Sequence, residues 1–97
     1  MIVRIRWTLP TATALDRIQN YIAKDNPKAA FEVVQRIQVA VSQLELHPNV
    51  GRPGRVRGTS ELVIHDLAYI VPYRIKKDEA QILSVYHTSR KWPGAFD

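Results

Sequence analysis

Three short apolar runs follow one another in the C-terminal half of the chain, separated by polar gaps. They cover Glu61–His65, Tyr69–Ile75 and Gln81–His87 and are rich in Val, Ile, Leu and Tyr, which suit a pleated, half-buried surface. Asp66 stands in the first gap and Lys76-Lys77-Asp78 in the second. Because such short gaps cannot hold a crossover, the runs predict a three-stranded antiparallel meander.

The N-terminal residues alternate between apolar and basic side chains. The alternation runs from Ile2 to Trp7, with Arg4 and Arg6 in the polar positions, and predicts a first strand. Leu9-Pro10 is predicted to break this strand, since proline interrupts regular pairing.

Two helices are predicted next, from apolar residues spaced three or four apart. Thr11 or Thr13 is expected to cap the first. Asp25-Asn26-Pro27 ends it and begins the second, since Asn26 is a good N-cap and the missing N–H of Pro27 costs nothing in a first turn. The apolar positions are Leu15, Ile18 and Ile22 with Ala14 and Tyr21 beside them, then Ala30, Val34, Ile37, Val41 and Leu44 with Phe31 at the margin.

The overall order of elements predicts one α+β domain covering residues 1–97. The second helix is expected to stop near Leu46, because Pro48 disfavours helix for the residue before it. Helices joined by so few residues fold back as a hairpin, and their apolar faces need the flat cover that the meander supplies. His47–Gly58 is predicted to be loop, since it holds two prolines and three glycines.

The middle strand of the meander contains a proline, although it is predicted to have a neighbour on each side. Pro72 removes a ladder donor, so the sequence predicts a bulge or a local break there. Arg74 is expected on the opposite strand face from Tyr73, where it is predicted to pair with Glu61 or Asp78.

Composition narrows the classes of function. A chain of 97 residues buries a modest core and leaves little room for a deep pocket. The absence of cysteine excludes disulfides and thiolate metal sites and fits a reducing cytosol, so we expect a cytoplasmic protein. No apolar run approaches bilayer length, and the N-terminus lacks the features of a signal peptide. The formal net charge of +5 favours anionic partners such as nucleic acid, ribosome or an acidic protein.

A series of short motifs runs in order through nearly the whole chain. They are Asp25-Asn26-Pro27, Ala29-Ala30, His47-Pro48, Gly51-Arg52, Gly58-Thr59-Ser60-Glu61-Leu62-Val63, Tyr69-Ile70-Val71, Tyr73-Arg74-Ile75, Ile82-Leu83, Val85-Tyr86-His87, Arg90 and Trp92-Pro93. This ordered set resembles the RelE/ParE superfamily of bacterial toxins from type II toxin–antitoxin systems. The resemblance implies a small βααβββ fold and a cognate, acidic or amphipathic antitoxin wrapped on the toxin. It also implies growth inhibition when the antitoxin is lost, and contact with operator DNA only through the antitoxin.

Members of this superfamily differ in their target. RelE- and YoeB-like toxins cleave mRNA in the ribosomal A site, whereas ParE-like toxins poison DNA gyrase. RNA cleavage needs a general base, a general acid and cations for the developing charge. The resemblance places the RelE-like lysines at Glu61 and Val63, the RelE-like arginine at Ile70, and the YoeB-like glutamate base at Gly54. Since these positions lack the required groups, a ParE-like gyrase poison is favoured, with an mRNA interferase as the alternative.

The candidate catalytic residues belong to the interferase alternative. His87 matches a histidine found near the end of the last strand in toxins of both kinds. It would act as a general acid, with Arg57, Arg74 or Arg90 stabilising charge. The simpler interpretation of His87 is a strand-end histidine bonded to the backbone.

The candidate partner-binding residues are cationic or aromatic. For the three arginines the alternative interpretation is a solvated loop. For Lys91 and Trp92 it is a packed terminal tryptophan beside ordinary surface charge. The set comprises Arg52, Arg55, Arg57, Lys91 and Trp92.

No cofactor or metal site is expected, because His47 and His65 are isolated and cysteine is absent. A third interpretation is a degenerate toxin retained as a binding module. An antitoxin is expected to pair with the arginines between Arg52 and Arg57 or to lie across the helical hairpin. Its affinity should fall as salt rises.

Overall fold

The computed structural model describes residues 2–89 and confirms the α+β class. Within that range the elements are β1 (Arg4–Trp7), α1 (Leu9–Ala23), α2 (Pro27–Ser42), β2 (Arg52–Pro53), β3 (Ser60–Ile64), β4 (Tyr69–Lys76), β5 (Glu79–Ile82) and β6 (Tyr86–His87). Short 3-10 turns at Gln43–Glu45 and His65–Leu67 follow α2 and β3.

The strands form one mixed sheet in the order β1-β5-β4-β3-β2. The predicted meander is confirmed, since β3, β4 and β5 pair antiparallel. β1 joins the edge beside β5 in parallel, with Ile5 opposite Ala80. The expectation that His47–Gly58 is entirely loop was wrong, because Arg52 pairs with Glu61 as part of β2.

The hairpin of α1 and α2 packs on one face of this sheet. In α2 the predicted core positions Ala30, Ile37 and Val41 are buried and Val34 is half-buried, and Leu44 is buried in the 3-10 turn that follows. Two aromatic residues predicted beside the apolar faces are exposed instead, Tyr21 at 74% and Phe31 at 60%.

The start of α1 differs from the prediction, whereas the start of α2 agrees with it. Pro10 lies in the first turn of α1, where its missing N–H breaks no helical bond. Neither predicted threonine caps the helix: Thr8 occupies the N-cap position, and buried Thr11 donates its hydroxyl to the Ile82 carbonyl at 2.8 Å. In α2 the Asn26 side chain accepts the Ala29 N–H at 3.1 Å, which confirms the predicted cap.

The bulge predicted from Pro72 is present, but on the neighbouring strand. Tyr73 lies opposite Ile82 in β5, whereas Ile70 lies opposite Tyr86 in β6. Residues 83–85 therefore lie opposite only two residues of β4, Val71 and Pro72. The one extra residue makes this a bulge. Leu83 donates its N–H to the Pro72 carbonyl at 2.9 Å, but Pro72 has no N–H to continue the ladder, so the predicted third strand divides here.

Candidate functional site

The register of the strands decides which candidate residues share a surface. Successive side chains of a strand point to opposite faces. The face under the helices carries Leu62, Ile64, Val71 and Tyr73. The face away from the helices carries their neighbours Glu61, Val63, Ile70 and Arg74.

The three positions that the resemblance assigns to RelE-like cations lie together on the face away from the helices. Val63 and Ile70 are directly opposite each other on β3 and β4, and Glu61 lies opposite Pro72. Ile70 is only 3% exposed. Two of the three side chains, Glu61 and Ile70, are buried, and none of the three is a cation, whereas a phosphate-cleaving site needs positive charge.

Glu61 is a buried carboxylate whose oxygens are occupied by the loop above it. Its Oε1 accepts from Nε and pairs with Nη2 of Arg52, both at 3.0 Å. Its Oε2 accepts the Arg55 backbone N–H at 2.9 Å. Glu61 is 1% exposed, so it is not placed to act as a base. Arg52 and Arg55, predicted to bind a partner, stay half exposed beside it, and Arg57 is exposed.

Tyr73 holds the other end of the same loop from the core side. Its hydroxyl donates to the Pro48 carbonyl at 2.9 Å and accepts the Gly51 N–H at 3.0 Å. Any side chain at Gly51 would overlap the Tyr73 ring. Burial raises the pKa of Tyr73, and hydrogen bonds with Gly51 and Ser60 offset part of that rise. The loop is thus tied down at both ends.

The predicted ion pair of Arg74 with Glu61 or Asp78 was wrong. Arg74 lies directly opposite Gln81 on β5 and donates Nε–H to its Oε1 at 2.8 Å. Glu61 pairs instead with Arg52 of β2, and Asp78 pairs with Arg4 at 3.3 Å.

His87 lies at the end of β6, opposite Tyr69, with the two ring centroids 5.3 Å apart in an edge-to-face contact. Its Nδ1 accepts the Ser89 N–H at 3.2 Å and contacts the Ser89 hydroxyl at 2.8 Å. Because Nδ1 accepts, the proton of the neutral ring is assigned to Nε2.

The structure separates His87 from Arg74. Arg74 lies five residues along β4 from Tyr69, the residue opposite His87, which corresponds to about 16 Å at 3.3 Å per residue. The odd spacing also puts the two side chains on opposite faces. Three further candidates, Arg90, Lys91 and Trp92, lie outside the described residues.

A groove of about 920 Å³ runs between α1 and the end of the sheet that carries His87. Leu9 and Tyr21 stand exposed on its helical wall, at 79% and 74%, and Arg17 lies between them. None of the groove residues within the range 2–89 is acidic. They are Leu9, Pro10, Thr13, Ala14, Arg17, Ile18, Tyr21, Tyr69, Ser84, Val85, Tyr86, His87 and Ser89.

Sequence reasoning missed this groove. The signal for it was a second row on α1, Leu9, Thr13, Arg17 and Tyr21, whose four-residue spacing puts them on one side of the helix. Among residues 2–89 no group of three or more His, Cys, Asp or Glu residues could hold a metal ion. None of the helices in the described part of the chain has the length and apolarity to cross a membrane.

The fold and these surfaces define a small toxin of the RelE/ParE superfamily. A family model described as "ParE toxin of type II toxin-antitoxin system, parDE" matches residues 5–92. The chain therefore belongs to the ParE toxin family of type II toxin–antitoxin systems.

Relatives of known sequence or structure agree with this assignment. The chain is 52% identical over 90 residues to a candidate toxin, Y4kP, of Sinorhizobium fredii, covering 93% of each protein. The solved chromosomal ParDE toxin–antitoxin system of P. aeruginosa matches with a TM-score of 0.82 and 30% identity, covering 91% of this chain and 98% of that one. The RelBE2 toxin–antitoxin complex of Mycobacterium tuberculosis matches with a TM-score of 0.61 and 25% identity, covering 90% and 99%.

Proposed function

We propose that this chain inhibits growth by binding DNA gyrase and does not itself cleave RNA. Membership of the ParE toxin family supports a toxin. One observation favours a binding poison over a nuclease: among residues 2–89, neither Arg74 nor Arg52 is assembled with the candidate proton donor His87. His87 and Arg74 lie on opposite faces of the sheet, and Arg52 is engaged by Glu61.

The chemistry of RNA cleavage explains why this observation matters. The pentacovalent phosphate carries extra negative charge, and enzymes stabilise it with preorganised cations and hydrogen-bond donors. Neither Val63 nor Ile70 has a side-chain donor, and Glu61 is a buried carboxylate paired with Arg52 that supplies no positive charge. Loss of one preorganised contact typically reduces a rate about a hundredfold to a thousandfold, so loss of three leaves little cleavage, although such effects are not additive.

Neutralisation by a cognate antitoxin is the second part of the proposal. The P. aeruginosa ParDE and M. tuberculosis RelBE2 relatives are toxin–antitoxin systems by name. The groove beside α1 has the composition expected for an antitoxin segment with apolar and acidic residues. Exposed Leu9 and Tyr21 offer apolar contacts and Arg17 offers a cation. The lining residues that the structure describes include no carboxylate to repel such a segment. Amphipathic helices bind grooves of this kind through their apolar face.

An mRNA interferase is the second candidate function, and the position of His87 favours it. The ring is exposed and lines the groove with Arg17. In its protonated form, which carries a proton on both ring nitrogens, His87 would donate the Nε2 proton to the leaving 5′-oxygen and return to the neutral ring.

Induction of the chain alone in cells tests the choice between these functions. We expect growth arrest with a DNA-damage response, unchanged mRNA lifetimes, and toxicity that persists in His87→Ala. His65→Ala, at an exposed histidine outside the groove, is the matched control. Codon-specific A-site cleavage that disappears in His87→Ala but not in His65→Ala would instead establish the interferase. An absence of growth arrest would leave the degenerate binding module.

A further inference from the structure

The charged side chains of this protein are distributed unevenly over the fold. Residues 9–45, which hold the two α-helices, carry four cations and four carboxylates, whereas β1 and residues 46–89 together carry eight cations and four carboxylates. Two of those last four carboxylates are already engaged, since Glu61 is buried and Asp66 pairs with Arg36 of α2. The excess positive charge of the described chain therefore lies on the sheet and its turns.

The strand register gathers four of these cations on the face away from the helices. Two rows of residues cross β1, β5 and β4 there, with Glu79 in the middle of one row and Gln81 in the middle of the next. Each row has a cation at both ends, so the Cα atoms of the four cations form a rectangle of about 10 Å by about 7 Å. This four-cation cluster comprises Arg4 and Lys76, at the ends of the Glu79 row, and Arg6 and Arg74, at the ends of the Gln81 row.

The two middle residues hold the arginines of the cluster in place. Arg74 donates Nε–H to Gln81 Oε1 at 2.8 Å, and Gln81 donates Nε2–H to Glu79 Oε1 at 3.1 Å. Glu79 also pairs with Arg6 at 3.8 Å and with Arg4 at 3.9 Å. Because a guanidinium has five N–H donors, these contacts fix the arginines and leave further donors for a ligand. The side chains of Arg4 and Arg6 are 72% and 64% exposed.

The surroundings of the four-cation cluster favour a duplex phosphate backbone over other anionic partners. Protein interfaces rely on buried aromatic and apolar anchors, and single-stranded nucleic acid is held by stacking on aromatic rings. Among residues 2–89, no large apolar or aromatic side chain of β4 or β5 is exposed, and Trp7 of β1 lies on the opposite face. A duplex needs no such anchor, because its phosphates lie outside the stacked bases and are contacted by arginine and lysine.

We propose that the four-cation cluster binds the phosphate backbone of duplex DNA without reading its sequence. Contacts to phosphate fix the position of a protein on a duplex and do not select bases. The cluster involves neither His87 nor the groove beside α1, so this binding stands or falls separately from gyrase inhibition, RNA cleavage and antitoxin binding in that groove. It gives the chain a contact with DNA of its own, in addition to any contact made through an antitoxin.

Fluorescence anisotropy of a short fluorescein-labelled duplex measures the affinity of the purified chain as salt is raised. The logarithm of the association constant should fall with the logarithm of salt concentration with a slope of about −3.6, since each of four phosphate contacts contributes about −0.9. Duplexes of unrelated sequence should bind equally, because phosphate contacts carry no sequence information.

Paired glutamine variants separate the cluster from the overall charge of the chain. Arg6→Gln with Arg74→Gln should weaken binding at least tenfold and reduce the salt slope by about 2. Lys24→Gln with Lys28→Gln removes the same charge at exposed positions of the helical hairpin and should leave binding and slope unchanged. Thermal unfolding verifies that each variant is folded.

A second pair of variants tests the position of the ligand between the two rows. Gln81→Glu puts a carboxylate between Arg6 and Arg74 and should weaken binding at least tenfold. Gln35→Glu makes the same change at an exposed position of α2 and should have no effect.

Lysine acetylation gives a positional readout on the unaltered chain. Bound duplex should protect Lys76 from acetic anhydride, whereas Lys24 and Lys28 should react as fast as in the free protein. The inference is overturned if the duplex does not bind at low salt, if the two glutamine pairs have equal effects, or if Lys76 is not protected. Tighter binding of polyglutamate, or of the single strand of the same sequence, would overturn it in favour of an acidic protein or a single-stranded partner.

Discussion

Burial of the Glu61 carboxylate is unfavourable unless its oxygens find partners, and the loop above it supplies them. The Arg52 side chain and the Arg55 N–H fill both oxygens. The sequence marked Glu61 as a residue that repels phosphate and gave no sign of this role. The contacts depend on Arg52 facing Glu61 across β2 and β3, in a segment whose prolines and glycines predict loop.

Replacement of Glu61 should destabilise the protein through this loop. Glu61→Ala leaves the Arg55 N–H and Arg52 without their acceptor, so we expect a loss of about 2 kcal/mol of unfolding free energy, typical of hydrogen bonds to charged groups. Urea denaturation measures it. Glu32→Ala, on the exposed side of α2, is the control, and equal losses in the two variants would show that the buried contacts do not stabilise the fold.

The raised pKa of Tyr73 predicts how the free energy of unfolding changes at alkaline pH. Burial raises its pKa above the ordinary value of 10.0, so the folded protein holds the phenolic proton more strongly than the unfolded chain. This contribution is fully present below pH 10 and is lost as pH rises from there through the folded-state pKa. Urea denaturation between about pH 8 and pH 11 should show a steeper decline in the wild type than in Tyr73→Phe. Parallel declines would contradict the assignment.

At the scale of elements, sequence patterns within one helix predicted its structure correctly, whereas side-chain contacts between strands were predicted less well. The cap at Asn26 and the apolar spacing of α2 are local, and both are confirmed. The partner of Arg74 depends on hairpin register: β5 begins at Glu79 after a two-residue turn, which puts Gln81 opposite Arg74. The predicted ion pair of Arg74 was therefore wrong because the neighbouring strand, and not adjacent residues, decides the contact of this side chain.

The packing of α2 on the sheet gives a direct test of the fold. Ile37 is 0% exposed, and an unpaired carboxylate there would cost several kcal/mol. Ile37→Asp should therefore abolish cooperative folding, as followed by circular dichroism during heating. Val39→Asp introduces the same group at a site 65% exposed on the same helix and should still fold. A cooperatively melting Ile37→Asp protein would refute this packing.

On the scale of the whole molecule, the fold and family followed from the order of motifs, but the groove did not. The groove exists because α1 crosses the sheet beside the short strand β6, which forms only after the bulge opposite Pro72. Neither the bulge nor the crossing of α1 over the sheet can be predicted from a local sequence pattern. Arg17 and Tyr21 therefore join the candidate site only in the folded chain.

The groove makes a prediction about neutralisation. Tyr21→Ala combined with Arg17→Gln should weaken binding of the cognate antitoxin at least tenfold and make the remaining binding less sensitive to salt, because a screened charge contact is lost. Isothermal titration calorimetry at low and high salt measures both effects. Phe31→Ala with Lys28→Gln, exposed positions on α2 outside the groove, provides the matched control. Equal effects of the two pairs would place the antitoxin elsewhere.

The most direct test of the central claim is gyrase supercoiling in the presence of the purified chain. We predict that the wild type inhibits supercoiling of relaxed plasmid and that His87→Ala inhibits equally, because the claim assigns toxicity to binding and not to proton transfer. The same preparations should leave mRNA intact on programmed ribosomes. Unimpaired supercoiling, together with A-site cleavage that His87→Ala abolishes, would contradict the account.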